Sequence, residues 1–287
     1  QEFPKHPFAW KVLGAVLKQM GKINESLVAT QKSVQLEPQD AKAHNNLGVI
    51  LKELGRLDEA EASFRQAIEI KPELAEAQNN LGSTLKKLGR LKEAEASFRQ
   101  AIEIKPELAE AYSNLGNTLQ KQGRFKEAEA SFRQAIALKP DYVRAHNNLG
   151  NTLQKQGRFK EAEASYRQAI KLKPDYVRAH NDLGVTLQEL GRLDDAETSL
   201  RQAIALKPDY AVAHSNLGII LQELGKLDEA EVSLRQAITL KPDYVEAHNN
   251  LGNTLKDLGK LNEAETSYRK AIALKPDLAE AHNNLGN

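Results

Sequence analysis

The side chains best placed to do chemistry are amides. Asn46, Asn80, Asn114, Asn148, Asn216, Asn250 and Asn284 recur at multiples of 34 residues, with Asp182 filling the one gap in the series. An asparagine side chain offers one acceptor and two donors, the complement of a peptide backbone. A row of them at constant pitch suits an extended chain held with little regard to its side chains. Asn117, Asn151 and Asn253 stand three residues further along the same register and extend the row, with Lys121 and Lys155 beside it. Asp182 would favour a cation locally. Asparagine is a mediocre helix former, so its repetition asks for a reason. The plain alternative is that duplicated repeats share every position, functional or not.

The other recurrent polar residues point away from catalysis. His44, His146, His180, His214, His248 and His282 come once per period. A metal needs several ligands around one ion, whereas neighbouring helices lie ~8–10 Å apart, so core packing is the expected role. Ser63, Ser97 and the matching serines to Ser267 have no paired base, and there is no cysteine, so an activated nucleophile is not expected. Glu59 and Glu61 read as helix-surface carboxylates. The paired glycines carry no Gly-Lys-Ser/Thr phosphate loop. The sequence therefore predicts no enzyme within these residues, no cofactor and no metal.

Composition supports this. Hydrophobic residues make up 40% and aromatics only 5%, so alanine and leucine carry the core. The net charge of +1 leaves no overall footprint for nucleic acid or membrane. No stretch reaches the ~20 apolar residues of a membrane span. The start, QEFPKHPFAW, lacks the regions of a signal peptide. A cytoplasmic setting is the expectation, and the lack of cysteine is compatible with it.

What positions the amides is the period itself. After a lead-in, 1–6, eight units begin at Pro7, Ala41, Ala75, Ala109, Val143, Val177, Ala211 and Val245. They run 7–40, 41–74, 75–108, 109–142, 143–176, 177–210, 211–244 and 245–278, and a ninth starts over 279–287. All 17 glycines fall at the eighth or fifteenth position, and eight of ten prolines at the thirty-second. Such a period means a stacked array with no single globular core. In 41–74 a first helix is expected from about Ala41 to Leu54, closed by Gly55 in a left-handed C-cap. A second is expected from near Asp58 to before Pro72. Asn24, Asp58, Asp194, Asp228 and Asn262 are its expected N-caps. Lys92, Lys126 and Lys160 stand there in the third to fifth units and should let those helix starts fray. Asp243 with Glu246, and Asp277 with Glu280, resemble capping boxes.

At 100° per residue, His44, Leu47, Gly48 and Leu51 share one side of the first helix, and Lys42, Asn46, Val49 and Glu53 the other. The first side should pack, with Gly48 admitting the partner helix at Ala60 and Ala67. Trp10-x2-Leu13-Gly14-x2-Leu17, then Ala60-x3-Phe64-x2-Ala67 and Pro72, resembles the tetratricopeptide repeat over nearly the whole chain. The first unit departs most, with Ser26, Thr30 and Ser33 at packing positions. The resemblance implies an all-α, right-handed α-α superhelix of helix-turn-helix repeats whose concave groove is lined by first helices.

A similar asparagine ladder lines the repeat arm of O-linked N-acetylglucosamine transferases, where it holds substrate peptide. The expected function is thus a non-catalytic scaffold binding an extended or helical peptide in the groove. The alternative is the substrate-recruiting arm of a larger transferase, such as the bacterial Spindly-like glycosyltransferases or sulfotransferases. A chaperone-tail carboxylate clamp is disfavoured, because the fifth position is Asn45, Asn79, Ser113, Asn147, Asn181 or Ser215 rather than lysine. RNA binding, by analogy with pentatricopeptide repeats, lacks a basic face. The fifth unit holds seven Lys and Arg against three Asp and Glu. With Lys87, Lys121, Arg144, Lys155 and Arg178 near the groove, it would favour an acidic segment, against the plainer reading of a solvated face. Apolar Ile272 and Leu274 at the end of the array suggest end-to-end self-association.

Overall fold

A computed structural model describes residues 6–286. Among them are 17 α-helices and no strand. The first helices of successive repeats are α1 (Pro7–Gln19), α3 (Ala41–Glu53), α5 (Ala75–Lys87), α7 (Ala109–Lys121), α9 (Val143–Lys155), α11 (Val177–Glu189), α13 (Ala211–Glu223), α15 (Val245–Asp257) and α17 (Ala279–Gly286). The second helices are α2 (Ile23–Leu36), α4 (Leu57–Ile70), α6 (Leu91–Ile104), α8 (Phe125–Leu138), α10 (Phe159–Leu172), α12 (Leu193–Leu206), α14 (Leu227–Leu240) and α16 (Leu261–Leu274). The chain divides into two compact units, Gln1–Ala145 and His146–Asn287. In each, helices pack as hairpins stacked on their neighbours, the helix-turn-helix solenoid class.

The two glycine positions do different jobs. Gly55 has φ +76°, the left-handed conformation of a C-cap, and a Cβ there would meet nothing within 4 Å. Its need is conformational. Gly48 is an ordinary helical residue, but a Cβ there would stand 2.6 Å from the Phe64 ring. Its need is steric. The ring of the second helix, not Ala60 or Ala67, is what the small residue admits. Leu200 and Leu234 fill the same place against Gly184 and Gly218.

Helix starts correct the expected caps. The second helices begin one residue before the aspartates, with Arg56, Arg90, Arg192 or Lys226 at the N-cap and no side-chain cap bond. Asp58 falls inside the first turn, where it complements the helix dipole. Lys92 occupies the same turn, yet α6 starts at the same register as α4. Arg90 stitches that turn by donating to both Glu93 oxygens, at 2.7 and 2.5 Å. Asp243 does not cap α15, whose N-cap is Tyr244. Asp40, unforeseen, does cap α3, accepting from the amides of Lys42 and Ala43.

First helices are buried more widely than two faces suggest. Alanine at the third position, the fifth-position polar residue and threonine at the tenth are buried together with the leucines; Ala77, Asn79 and Thr84 show this in α5. Thus α5 meets its partner α6, the preceding second helix α4 and the first helices α3 and α7, and α13 likewise meets α14, α12, α11 and α15. Among the described residues, second helices within a unit have no comparable contact with each other. Within each unit the first helices are thus crowded on the inside and the second helices splayed on the outside. Outer helices are joined by charge instead. Glu61 takes Arg65 at 2.9 Å and Arg90 at 2.6 Å, and Glu197 takes Arg201 and Lys226 at 2.8 and 2.7 Å.

Candidate functional site

The sixth-position amides lie on the inner face of the first helices, half-buried. Four of them, Asn80, Asn114, Asn216 and Asn284, reach back to the repeat before. In the first unit Asn80 Nδ2 donates to Asn45 Oδ1 at 3.0 Å and Asn114 Nδ2 to Asn79 Oδ1 at 3.0 Å. In the second, Asn216 donates to Asn181 at 2.9 Å and Asn284 to Asn249 at 3.3 Å. The row is therefore a set of amide pairs that lock repeat junctions. One donor hydrogen of Asn80, Asn114 and Asn216 is spent in the pair, and Asn284 Nδ2 also donates to Asn253 Oδ1 at 3.0 Å. Asn250 lies opposite Ser215 and Asn46 opposite Lys11, so neither makes this amide–amide bond. Asn117 and Asn148 have interaction partners of their own.

The ninth-position amides are partly committed. Tyr166 Oη donates to Asn151 Oδ1 at 2.6 Å, and Tyr268 Oη to Asn253 Oδ1 at 2.8 Å. Lys121 and Lys155 are exposed at the ends of α7 and α9.

Asp182 shows what the pairing demands. A carboxylate cannot donate to Asn147 Oδ1, and that buried oxygen has no partner. Asp182 instead accepts from Asn181 Nδ2 at 3.1 Å and Asn147 Nδ2 at 3.3 Å. Burial raises its pKa above the usual carboxylate value, against the lowering effect of the amides and Arg178.

His146 and His248 are buried, as a packing role requires, and five of the histidines also clip the junctions. Nε2 of His44 reaches the Pro38 carbonyl at 2.9 Å, and His180, His214, His248 and His282 repeat the bond to Pro174, Pro208, Pro242 and Pro276. A carbonyl only accepts, so Nε2 carries the hydrogen. Among the described residues no three His, Asp or Glu side chains gather to hold a metal.

Sequence reasoning missed a lysine column on the inner side of the first unit. Lys52 Nζ lies 5.9 Å from the Phe64 ring and Lys86 Nζ 5.7 Å from the Phe98 ring. Burial, then repulsion from Lys121, Arg144 and Lys52, pushes Lys86 down to about 8. Lys52 is lowered by burial and then by Lys87. Their recurrence at the twelfth position was visible; that the aromatic ring desolvates them was not. The end of the array is also differently arranged from expectation. Ile272 and Leu274 are half-buried beside α17. The exposed apolar stripe is on α1, where Phe8, Val12, Val16 and Met20 follow at four-residue steps.

Comparison with known proteins accounts for this construction. The model for the "Cilia and flagella-associated protein 70 C-terminal domain", a tetratricopeptide model, matches residues 4–216, and that for "TPR repeat" matches 220–259 and 252–287. The chain belongs to the tetratricopeptide-repeat family. No curated protein matches it. Among solved structures this repeat array resembles the anaphase-promoting complex hetero-tetramer Cut9-Hcn1, with TM-score 0.71 and 18% identity over 96% of this chain and 54% of that one. The array spans about half of that chain. It also resembles Pseudomonas aeruginosa pilF, with TM-score 0.65 and 20% identity over 73% of this chain and 95% of that one. YrrB, titled a TPR protein with an unusual peptide-binding site, gives TM-score 0.53 and 26% identity over 66% of this chain and 98% of that one. The matched models are repeat models, typical of protein–protein interaction. No helix among the described residues is long and apolar enough to cross a membrane.

Proposed function

We propose that the inner faces of the first helices bind an extended polypeptide. The observation that carries this is the row of half-buried amides, of which Asn80, Asn114 and Asn216 are each held in one orientation by a junction bond that uses one of two amide hydrogens. Pre-oriented amides lose little entropy when they meet a peptide backbone. The lysine column of the first unit favours an acidic segment, and Lys121 and Lys155 add to that preference. YrrB, 26% identical, lends support through its titled peptide-binding site. On a second reading the same amide row recruits substrate for an attached glycosyltransferase or sulfotransferase; the native reading frame around the array decides between the two.

Fluorescence polarisation with a labelled random-peptide pool tests the first reading. Asn80→Ala with Asn114→Ala should weaken binding at least tenfold while circular dichroism shows an intact fold. If the folded wild type binds no peptide at concentrations short of aggregation, the reading fails.

A further inference from the structure

The first repeat differs from the others at the residue that fills its centre. Six later units place Phe64, Phe98, Phe132, Leu200, Leu234 or Tyr268 against the helical glycine, and the fifth places Tyr166 there. These side chains are at most 2% exposed. The first unit has Thr30. Its hydroxyl lies against Gly14, and Ser26 Oγ donates to the Gly14 carbonyl at 2.7 Å, so α1 and α2 stay closely apposed without a ring. Ser33 Oγ adds a bond to the Pro7 carbonyl at 3.1 Å.

A cleft of ≈ 310 Å³ remains, lined by Gly14, Ala15, Lys18, Thr30, Asn46 and Ile50 among others. Its walls match the surroundings of Tyr166 position for position. Tyr166 touches Gly150 and bonds Asn151 and Gln154, with Asp182 and Thr186 beside it from the next repeat. Those residues correspond, one period at a time, to Gly14, Ala15, Lys18, Asn46 and Ile50. The cleft is an aromatic socket without its ring. A cavity of about 150 Å³ already admits a benzene ring. It opens on the inner face beside exposed Ala15 and Gln19.

We infer that this socket takes the aromatic side chain of a bound acidic peptide, which anchors and registers that peptide on the first unit. The inference rests on the peptide-binding reading above and adds its specificity. The rim supplies the charge: Lys18 stands at the cleft, paired to Glu53 at 2.8 Å, and Lys52 and Lys86 follow along the same face. Asn46 in the wall is not spent on a fifth-position amide, because Lys11 holds that place and is turned to Asp40 at 2.5 Å. Its amide is available to the peptide backbone next to the anchor.

The probes are a labelled peptide of Asp, Glu and Gly with one central Phe, and its Ala counterpart, titrated by fluorescence polarisation. Wild type should prefer the Phe peptide at least tenfold. Thr30→Phe restores the side chain of the later repeats and fills the socket from within. Its preference should fall to within twofold, with binding of the Ala peptide unchanged. Ala15→Trp, at an exposed site, closes the mouth without altering the core and should have the same effect if Thr30→Phe folds poorly. Equal binding of both peptides by wild type overturns the socket and leaves the groove reading standing. Binding of neither overturns the groove reading itself. Phe3→Ala should leave the preference unchanged; a gain in affinity means the chain's own Phe3 is the occupant and overturns the inference. So does conversion of a wild-type dimer to monomer by Thr30→Phe, which would make a second copy the occupant.

Discussion

At the scale of single residues, an amide's worth depends on what faces it. Asp182 interrupts the pairing because it cannot donate to Asn147 Oδ1. Asp182→Asn supplies the missing donor and should raise stability by about 1 kcal/mol at pH 7. The sign with pH follows from burial, which raises the folded-state pKa. The ionised form is penalised above that pKa, and the penalty fades as pH falls through it toward the ordinary aspartate value. The gain in Tm from Asp182→Asn should thus be larger at pH 7 than at pH 4. A gain that grows on acidification sinks the explanation. Two glycine substitutions should separate conformation from space. Gly55→Ala should cost about 1–2 kcal/mol through the left-handed backbone alone. Gly48→Ala should cost about 1–3 kcal/mol by driving a methyl into the Phe64 ring. Adding Phe64→Ala to each variant should return part of the Gly48→Ala loss and none of the Gly55→Ala loss, as chemical denaturation would show.

At the scale of helices, the proposed binding surface lies on the first helices, while ion pairs such as Glu61 with Arg90 link one second helix to the start of the next. Lys86 is the sensitive point of the inner face. Its folded pKa of about 8 lies below the ordinary lysine value of 10.5. The charged form is therefore penalised fully below pH 8, and the penalty is relieved as pH rises toward 10.5. Lys86→Met should stabilise the first unit at pH 7, with the gain shrinking as pH rises from 8 to 10.5. Calorimetric scans across that range check it. An acidic peptide would neutralise the same repulsion, so its affinity should fall as pH rises through 8 and the peptide should bind with proton uptake. The helix packing also explains the histidines. A ring one turn into the helix reaches the proline carbonyl six residues earlier, a distance no consideration of helix faces includes.

At the scale of the molecule, repeats are stable through their neighbours, and α1 has an uncovered side. Val16 is 45% exposed, whereas Ile50, Thr84 and Thr118 at the same position of later repeats are at most 2% exposed. Sedimentation should show mass rising with concentration, and Val12→Asn with Val16→Thr, the residues later units use there, should hold the chain monomeric. An unchanged association in that variant rejects the stripe as the contact. Period, fold class and the paired helices of each unit were legible in the sequence, because hydrophobic spacing, Gly55 and Pro72 act over a few neighbouring residues. The inner location of Asn80 and Asn114 followed from the same spacing. Three things were decided only by stacking. Asn80 meets Asn45 across 35 residues because one repeat is rotated onto the next by a fixed amount, which no local pattern records. Arg90 keeps the start of α6 ordered where Lys92 suggested fraying, through a side-chain pairing that depends on rotamers. Thr30 reads in the sequence as a weak packing residue; only the fold, by setting its surroundings beside those of Tyr166, shows it as a socket.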